Sequence, residues 1–202
     1  MSVKSRMMMI RVLFLFCAIS HGYGLQVTST PPLLDVPTYS LATKDADGKT
    51  GMNILTYATP VSIKPDRIWS IGLYKGTCAH DNFANTRKGV LQLLSPRHAK
   101  AVKLLGGSSG RDVDKRQECE KLGLPWMSAD NELPELLPGC THYLRLSLVG
   151  DLIDCGSHDV ALCKIESILV GDDAEDLPDH TYLNTAKLRD LGIITEQGRV
   201  AE

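Results

Sequence analysis

No Lys/Arg cluster dense enough to grip a nucleic-acid backbone occurs in this chain, which argues against a general polyanion binder. Phosphate recognition must therefore rest on a few local donors. Neither Gly-x-Gly-x-x-Gly nor a Walker loop is present, so any dinucleotide has to bind without a Rossmann crossover. Cys155 and Cys163 lie close in sequence but form no Cys-x-x-Cys pair and have no evident fourth ligand, so no metal site is expected. No apolar run approaches the roughly 20 residues that cross a bilayer, and no stable membrane span is expected. Internal repeats and low-complexity tracts are also missing. What remains is an ordinary globular composition. The 202 residues are 43% hydrophobic and 23% charged, which suits one domain with its own core.

The N-terminus differs from the rest. Lys4, Arg6 and Arg11 form a positive region without acids, Val12 to Ile19 is a short apolar run, and Ser20 to Gly24 offers small residues for cleavage. That is the layout of a secretory signal peptide. Leu25 to Thr38 carries hydroxyls and one acid, Asp35, leaving room for a plastid transit segment reached by the same route. The expected division is a targeting segment over 1–24, an extended leader over 25–35 and a domain over 36–202. Removing 1–24 deletes three basic residues and no acid, taking the formal charge from −2 to −5. Cys17 leaves as well. Cys78, Cys119, Cys140, Cys155 and Cys163 remain, an odd set without compact spacing, which does not suggest a disulfide framework and favours a reducing organelle.

Asn53 to Leu94 reads as strands. Thr59–Ile63 is rich in β-branched residues, Arg67–Tyr74 and Gly89–Leu94 follow, and Pro60 and Pro65 mark strand ends or an edge. Ala99, Val102 and Leu105 recur at helical spacing, and Asp112–Leu122 reads as a second, charged helix. Residues 133–140 read as loop. Leu144, Leu146 and Leu148 alternate with Tyr143, Arg145 and Ser147 in a strand that pairs with Val160–Val170. A short helix over Thr185–Leu191 closes at Gly192.

Three constellations can carry chemistry. Lys75-Gly76-Thr77 follows a strand and combines a cation, a close backbone approach and a hydroxyl, the makings of a phosphate cradle, with Asn82 and Asn85 as further donors. Asn53 to Tyr57 can set amide and hydroxyl groups along a ring edge. Gly156-Ser157-His158-Asp159 places His158 at a turn, where it can hydrogen-bond to a ligand. Gly106-Gly107-Ser108-Ser109-Gly110 satisfies Gly-x-Ser-x-Gly, but a helical segment precedes it where a nucleophile elbow needs a strand.

In order and spacing, Met52–Pro65, the strand to Tyr74, Lys75-Gly76-Thr77, GVLQLL, Ser109–Lys115 and Cys155–Val160 resemble successive blocks of the flavin reductase-like family. The resemblance spans roughly Val36 to Leu191. It implies a mainly β fold: a Greek-key antiparallel split β-barrel with a helical insertion and a short C-terminal helix, forming a homodimer with FMN near the interface. It assigns flavin contacts to Asn53, Thr56 and Tyr57, and the phosphate to Lys75, Gly76 and Thr77 with Asn82 nearby. It places His158 beside the nicotinamide. Lys75 stands where family members often have Ser, and Ser157 stands where an acid usually orients the histidine. The implied activity is NAD(P)H-dependent flavin reduction, with NADH or NADPH as donor and an oxygenase or another electron acceptor as partner. No side chain is required as a general acid or base. An FMN-binding protein without turnover (a sensor, carrier or haem-binding relative) is the alternative, and a serine hydrolase at Ser108 is a further one.

Overall fold

The computed structural model describes residues 27–171 and 181–201. The targeting segment expected over 1–24 lies outside them. Within the unit that begins at Leu33, the strands are β1 (Tyr39–Lys44), β2 (Thr50–Leu55), β3 (Ala58–Ser62), β4 (Ile68–Tyr74), β5 (Lys88–Leu93), β6 (His142–Leu148), β7 (Ile153–Cys155) and β8 (His158–Val170). The helices are α1 (Cys78–Thr86), α2 (Ala99–Gly107), α3 (Lys115–Lys121) and α4 (Thr185–Asp190). The strands form one antiparallel sheet in the order β2-β1-β5-β6-β8-β4-β3, with β7 paired to β8. The sheet curls into a Greek-key split barrel with the helical insertion between β5 and β6.

Alternation along the strands sends side chains to two cores. Tyr39, Leu41, Ile71, Leu73, Leu91, Leu144, Leu146 and Leu148 fill the barrel with Phe83 of α1. Ala42, Met52, Val90 and Tyr143 point the other way, against α2, α3, α4 and the 133–140 loop. Full burial of each large apolar side chain contributes about 1.5–3 kcal/mol. The loop is fastened through polar atoms that the sheet keeps dry. Gln92 Oε1 accepts from Leu137 N at 2.7 Å, and the Tyr143 hydroxyl donates to Leu137 O at 2.7 Å.

Two elements differ from the sequence reading. Residues 78–86 form α1 inside a stretch read as strands. Thr77 caps it by accepting from His80 N at 3.2 Å, Arg87 closes it in the left-handed region at φ 58°, and only Ala79 and Phe83, one helical turn apart, are buried. β1 follows directly on the proline-rich leader, and its first five residues are buried because both sheet faces are covered there. After α4 the chain turns at Gly192 and forms a small hairpin, with Ile194 bridged to Val200 and Thr195 N donating to Arg199 O at 2.7 Å. Val200 packs on Gly106 and Gly107 at the end of α2, where an added Cβ would meet its methyls at 3.2 Å.

Candidate functional site

β2 runs out of the barrel at Leu55, and residues 51–57 line one side of a cavity of about 940 Å³. That is the upper part of the range for small-molecule and cofactor sites. Its other walls are the start of α1, the 106–111 loop, the start of α3 and the C-terminal hairpin. Of the nine residues singled out in the sequence, Asn53, Thr56, Tyr57, Gly76, Thr77, Asn82 and His158 all line it; Asn85 does not, and neither does Lys75. Its Nζ lies 3.1 Å from Asp154 Oδ2 and 3.2 Å from Asp159 Oδ1, engaged with two carboxylates rather than turned to the cavity.

The two ends of the cavity differ in character. At one, Tyr57 and Tyr74 flank His158 with ring centroids 5.3 and 5.2 Å away, both edge-on, and both tyrosines are exposed. Gly72 makes room for Tyr57, since a Cβ there would sit 3.0 Å from the tyrosine Cβ. The acid expected to orient the histidine is replaced by a hydroxyl: Ser157 Oγ lies 2.9 Å from His158 Nδ1. When Ser157 donates to Nδ1, the ring carries its proton on Nε2 and can donate from there.

At the other end the groups are cationic. Thr77, Cys78 and Ala79 bring the N-terminus of α1 to the wall, where unpaired amides favour an anion. Arg111 donates from Nη1 to Gly76 O at 2.9 Å and from Nη2 to Asp81 Oδ2 at 2.6 Å. Lys115 is buried, 6% exposed, and its Nζ donates to Leu105 O at 2.7 Å and Met52 O at 3.1 Å. Burial pulls its pKa below the usual lysine range. Among the described residues no carboxylate pairs with it, and one of its three N–H donors has no protein acceptor. Lys115 had no assigned role in the sequence, although it lies in one of the matched blocks. The available signal was its position one turn before Cys119 on the buried face of α3.

Between the ends lies an orphaned acceptor: Asn53 Oδ1 is buried and, among the described residues, accepts no hydrogen bond. A buried acceptor without a donor costs about 1–3 kcal/mol, a deficit that a ligand N–H would remove once the amide turns its oxygen toward the cavity that Asn53 lines. The residues fit a flavin. The planar ring carries an imide N–H suited to Asn53, and a terminal phosphate suits Lys115, Arg111 and the start of α1. Asn82 is turned aside, its Nδ2 3.4 Å from Thr43 Oγ1. Ser108 caps the end of α2, so the strand-turn-helix setting of a nucleophile elbow does not surround it.

Residues 26–189 match the family model of the flavin reductase like domain. No curated protein matches the sequence. Among solved structures, flavoredoxin from Methanosarcina acetivorans is similar over 83% of this chain and 84% of its own, with a TM-score of 0.63 and 14% identity. An FMN-binding protein from Thermus thermophilus with bound p-hydroxybenzaldehyde covers 82% and 90%, with a TM-score of 0.64 and 16% identity. The NADH:FAD oxidoreductase SgcE6 of Streptomyces globisporus C-1027 covers 68% and 76%, at 0.58 and 14%.

Proposed function

The chain belongs to the flavin reductase-like domain family, and on that premise we propose that it is an FMN-binding oxidoreductase that takes electrons from NADH or NADPH. One observation carries the reading. A single cavity joins two groups that are short of partners among the described residues: the acceptor Asn53 Oδ1 has no donor, and the buried cation Lys115 meets no carboxylate. Bound flavin supplies the redox chemistry, accepting a hydride from the reduced nicotinamide. The chain's own residues bind and orient. Asn53, Thr56 and Tyr57 align the ring, and His158 between its two tyrosines receives the nicotinamide. The backbone at the start of α1 together with Arg111 and Lys115 holds the phosphate, the Thr77 hydroxyl being spent on Tyr74 O and the helix cap. Proximity does most of the work, so no general acid or base is assigned.

The sheet-edge strand β3 exposes Val61, with Ile63 just beyond it, an apolar margin that suits a homodimer. The reduced product would pass to an oxygenase or another acceptor, and the N-terminal segment would direct the protein into the secretory route.

The test is an absorption spectrum of the purified protein with added FMN, followed anaerobically with NADH and NADPH. Flavin bands that bind and bleach support the reductase and identify the preferred nucleotide. Flavin that binds yet stays oxidised with both donors leaves a flavin-binding module, the reading that Ser157 in place of an acid favours. No binding at all defeats both.

A further inference from the structure

A chain of charged side chains runs beside the cavity and connects its two ends. Arg111 Nη2 donates to Asp81 Oδ2 at 2.6 Å, and Asp81 Oδ1 lies 3.0 Å from His80 Nδ1. His80 Nε2 lies 2.8 Å from Asp159 Oδ2. Asp159 Oδ1 then meets Lys75 Nζ at 3.2 Å, and Lys75 reaches Asp154 at 3.1 Å. One end of the chain, Arg111, lines the cationic wall; Asp159 directly follows His158 in β8.

His80 is the middle link, and the only one whose bonding capacity changes with an imidazole proton. Both of its partners are carboxylates, which only accept. A neutral imidazole has one N–H and satisfies one of them; an imidazolium satisfies both. We propose that His80 is a positioning residue that ties Arg111 to the turn carrying His158, and that FMN affinity falls as His80 loses its second proton. The inference rests on the flavin reading above and adds to it a control that acts from outside the cavity lining.

Burial alone pulls the His80 pKa down, but the hydrogen bonds to Asp159 and Asp81 outweigh it and leave it raised. The doubly bonded form therefore persists above the ordinary imidazole value of about 6.5. The charged groups around the ring are Asp81 on its own helix and Asp159 on β8, then, one step out, Lys75 after β4, Asp154 on β7 and Arg111 before α3. When the proton leaves, Asp81 is the cheaper carboxylate to release. Its side chain is 46% exposed and rehydrates readily, whereas Asp159 is 15% exposed and also held by Lys75. Arg111 then keeps its bond to Gly76 O but loses a fixed carboxylate at Nη2, so one of its two anchors no longer sets its aim at the cationic end.

The experiment measures the FMN dissociation constant of the full chain across the neutral to mildly alkaline range, for the wild type, His80→Gln and Asp81→Asn. The His80 ring is titrated by NMR without flavin. In the wild type the constant should rise about fivefold or more as His80 deprotonates, the lower end of coupling between linked sites. His80→Gln carries its donors on one nitrogen and turns an acceptor oxygen toward the second carboxylate, so it should bind weakly and without that rise; Asp81→Asn should lower the ring's titration midpoint. The phosphate of FMN gains charge past about pH 6 and strengthens binding with rising pH, the opposite sign. A wild-type constant that does not rise overturns the inference, as does a rise that His80→Gln shares, which would belong to another group such as Lys115. So does a His80 ring that titrates at or below the ordinary value. FMN that fails to bind at any pH sinks the flavin reading and this inference together, while binding without the rise sinks the inference alone.

Discussion

Lys115 Nζ donates to the backbone oxygen of Leu105 at 2.7 Å, an ammonium held by a carbonyl rather than a carboxylate. Carbonyls fix the side chain's direction without neutralising its charge, so the charge stays available to an anion in the cavity. Lys115→Met keeps the bulk of the stem and removes the charge. FMN affinity should fall roughly 10- to 100-fold, as expected for one charge-assisted hydrogen bond of about 1.5–3 kcal/mol. Riboflavin, which lacks the phosphate, should be nearly unaffected. Parallel fluorescence titrations with the two flavins check this.

Asn53 has the opposite profile. Its Oδ1 is a liability without a donor and an asset when one arrives. Asn53→Ala should weaken flavin binding about fivefold, near 1 kcal/mol for a neutral hydrogen bond. The melting temperature of the flavin-free protein should stay the same or rise. A clear loss of stability instead would mean that the amide is structural.

Ser157 is expected to act on hydride transfer and not on flavin binding, because its hydroxyl meets Nδ1 of His158, which lines the cavity away from Lys115, while Ser157 itself is outside the lining. Ser157→Ala should lower kcat/KM for the reduced nicotinamide several-fold, of order 1 kcal/mol, and leave FMN affinity unchanged. Ser157→Asp restores the acid and should recover the loss. Steady-state kinetics with both variants separates these outcomes.

Two histidines should shape stability against pH with opposite signs. His98 is buried, and burial drives its pKa down despite acceptors at Pro138 and Ser95. Its contribution is complete above the unfolded value of about 6.5 and is lost as pH falls below that, where the unfolded chain binds the proton first. The raised pKa of His80 contributes fully below about 6.5 and is lost as pH rises through its folded value. Urea midpoints should therefore pass through a maximum near neutrality. His98→Gln should flatten the acid side and His80→Gln the alkaline side.

Much of the barrel was legible because its signals are local. β-Branched runs marked β3 and β4, with Pro65 between them and Pro60 inside β3 at the sheet edge, alternation marked β6, and Gly192 marked the end of α4. α1 was less legible, since Thr77 and Asn82 suit a cap and a helix as well as a polar loop. Which reading wins depends on Phe83 reaching the barrel core. The segment from Asn53 to Tyr57, read as a strand though β2 ends at Leu55, could be placed at the site because all of it borders the cavity. Lys75 could not: its partners Asp154 and Asp159 arrive through the β4–β8 pairing and the β7 hairpin, contacts that no nearby residue announces. Lys115 and His80 were hidden for the same reason, their meaning fixed by groups far away in sequence.

The hairpin in which Val200 rests on Gly106 and Gly107 changes how a fragment of this protein should be cut. The family match stops at residue 189, and a boundary drawn there would discard the segment from Ile194 to Val200 that forms one wall of the cavity. Such a fragment would keep the sheet and yet present its ligand with an open side. For the same reason, anything fused beyond Ala201 departs from beside the cavity, so an affinity handle placed there would crowd the site.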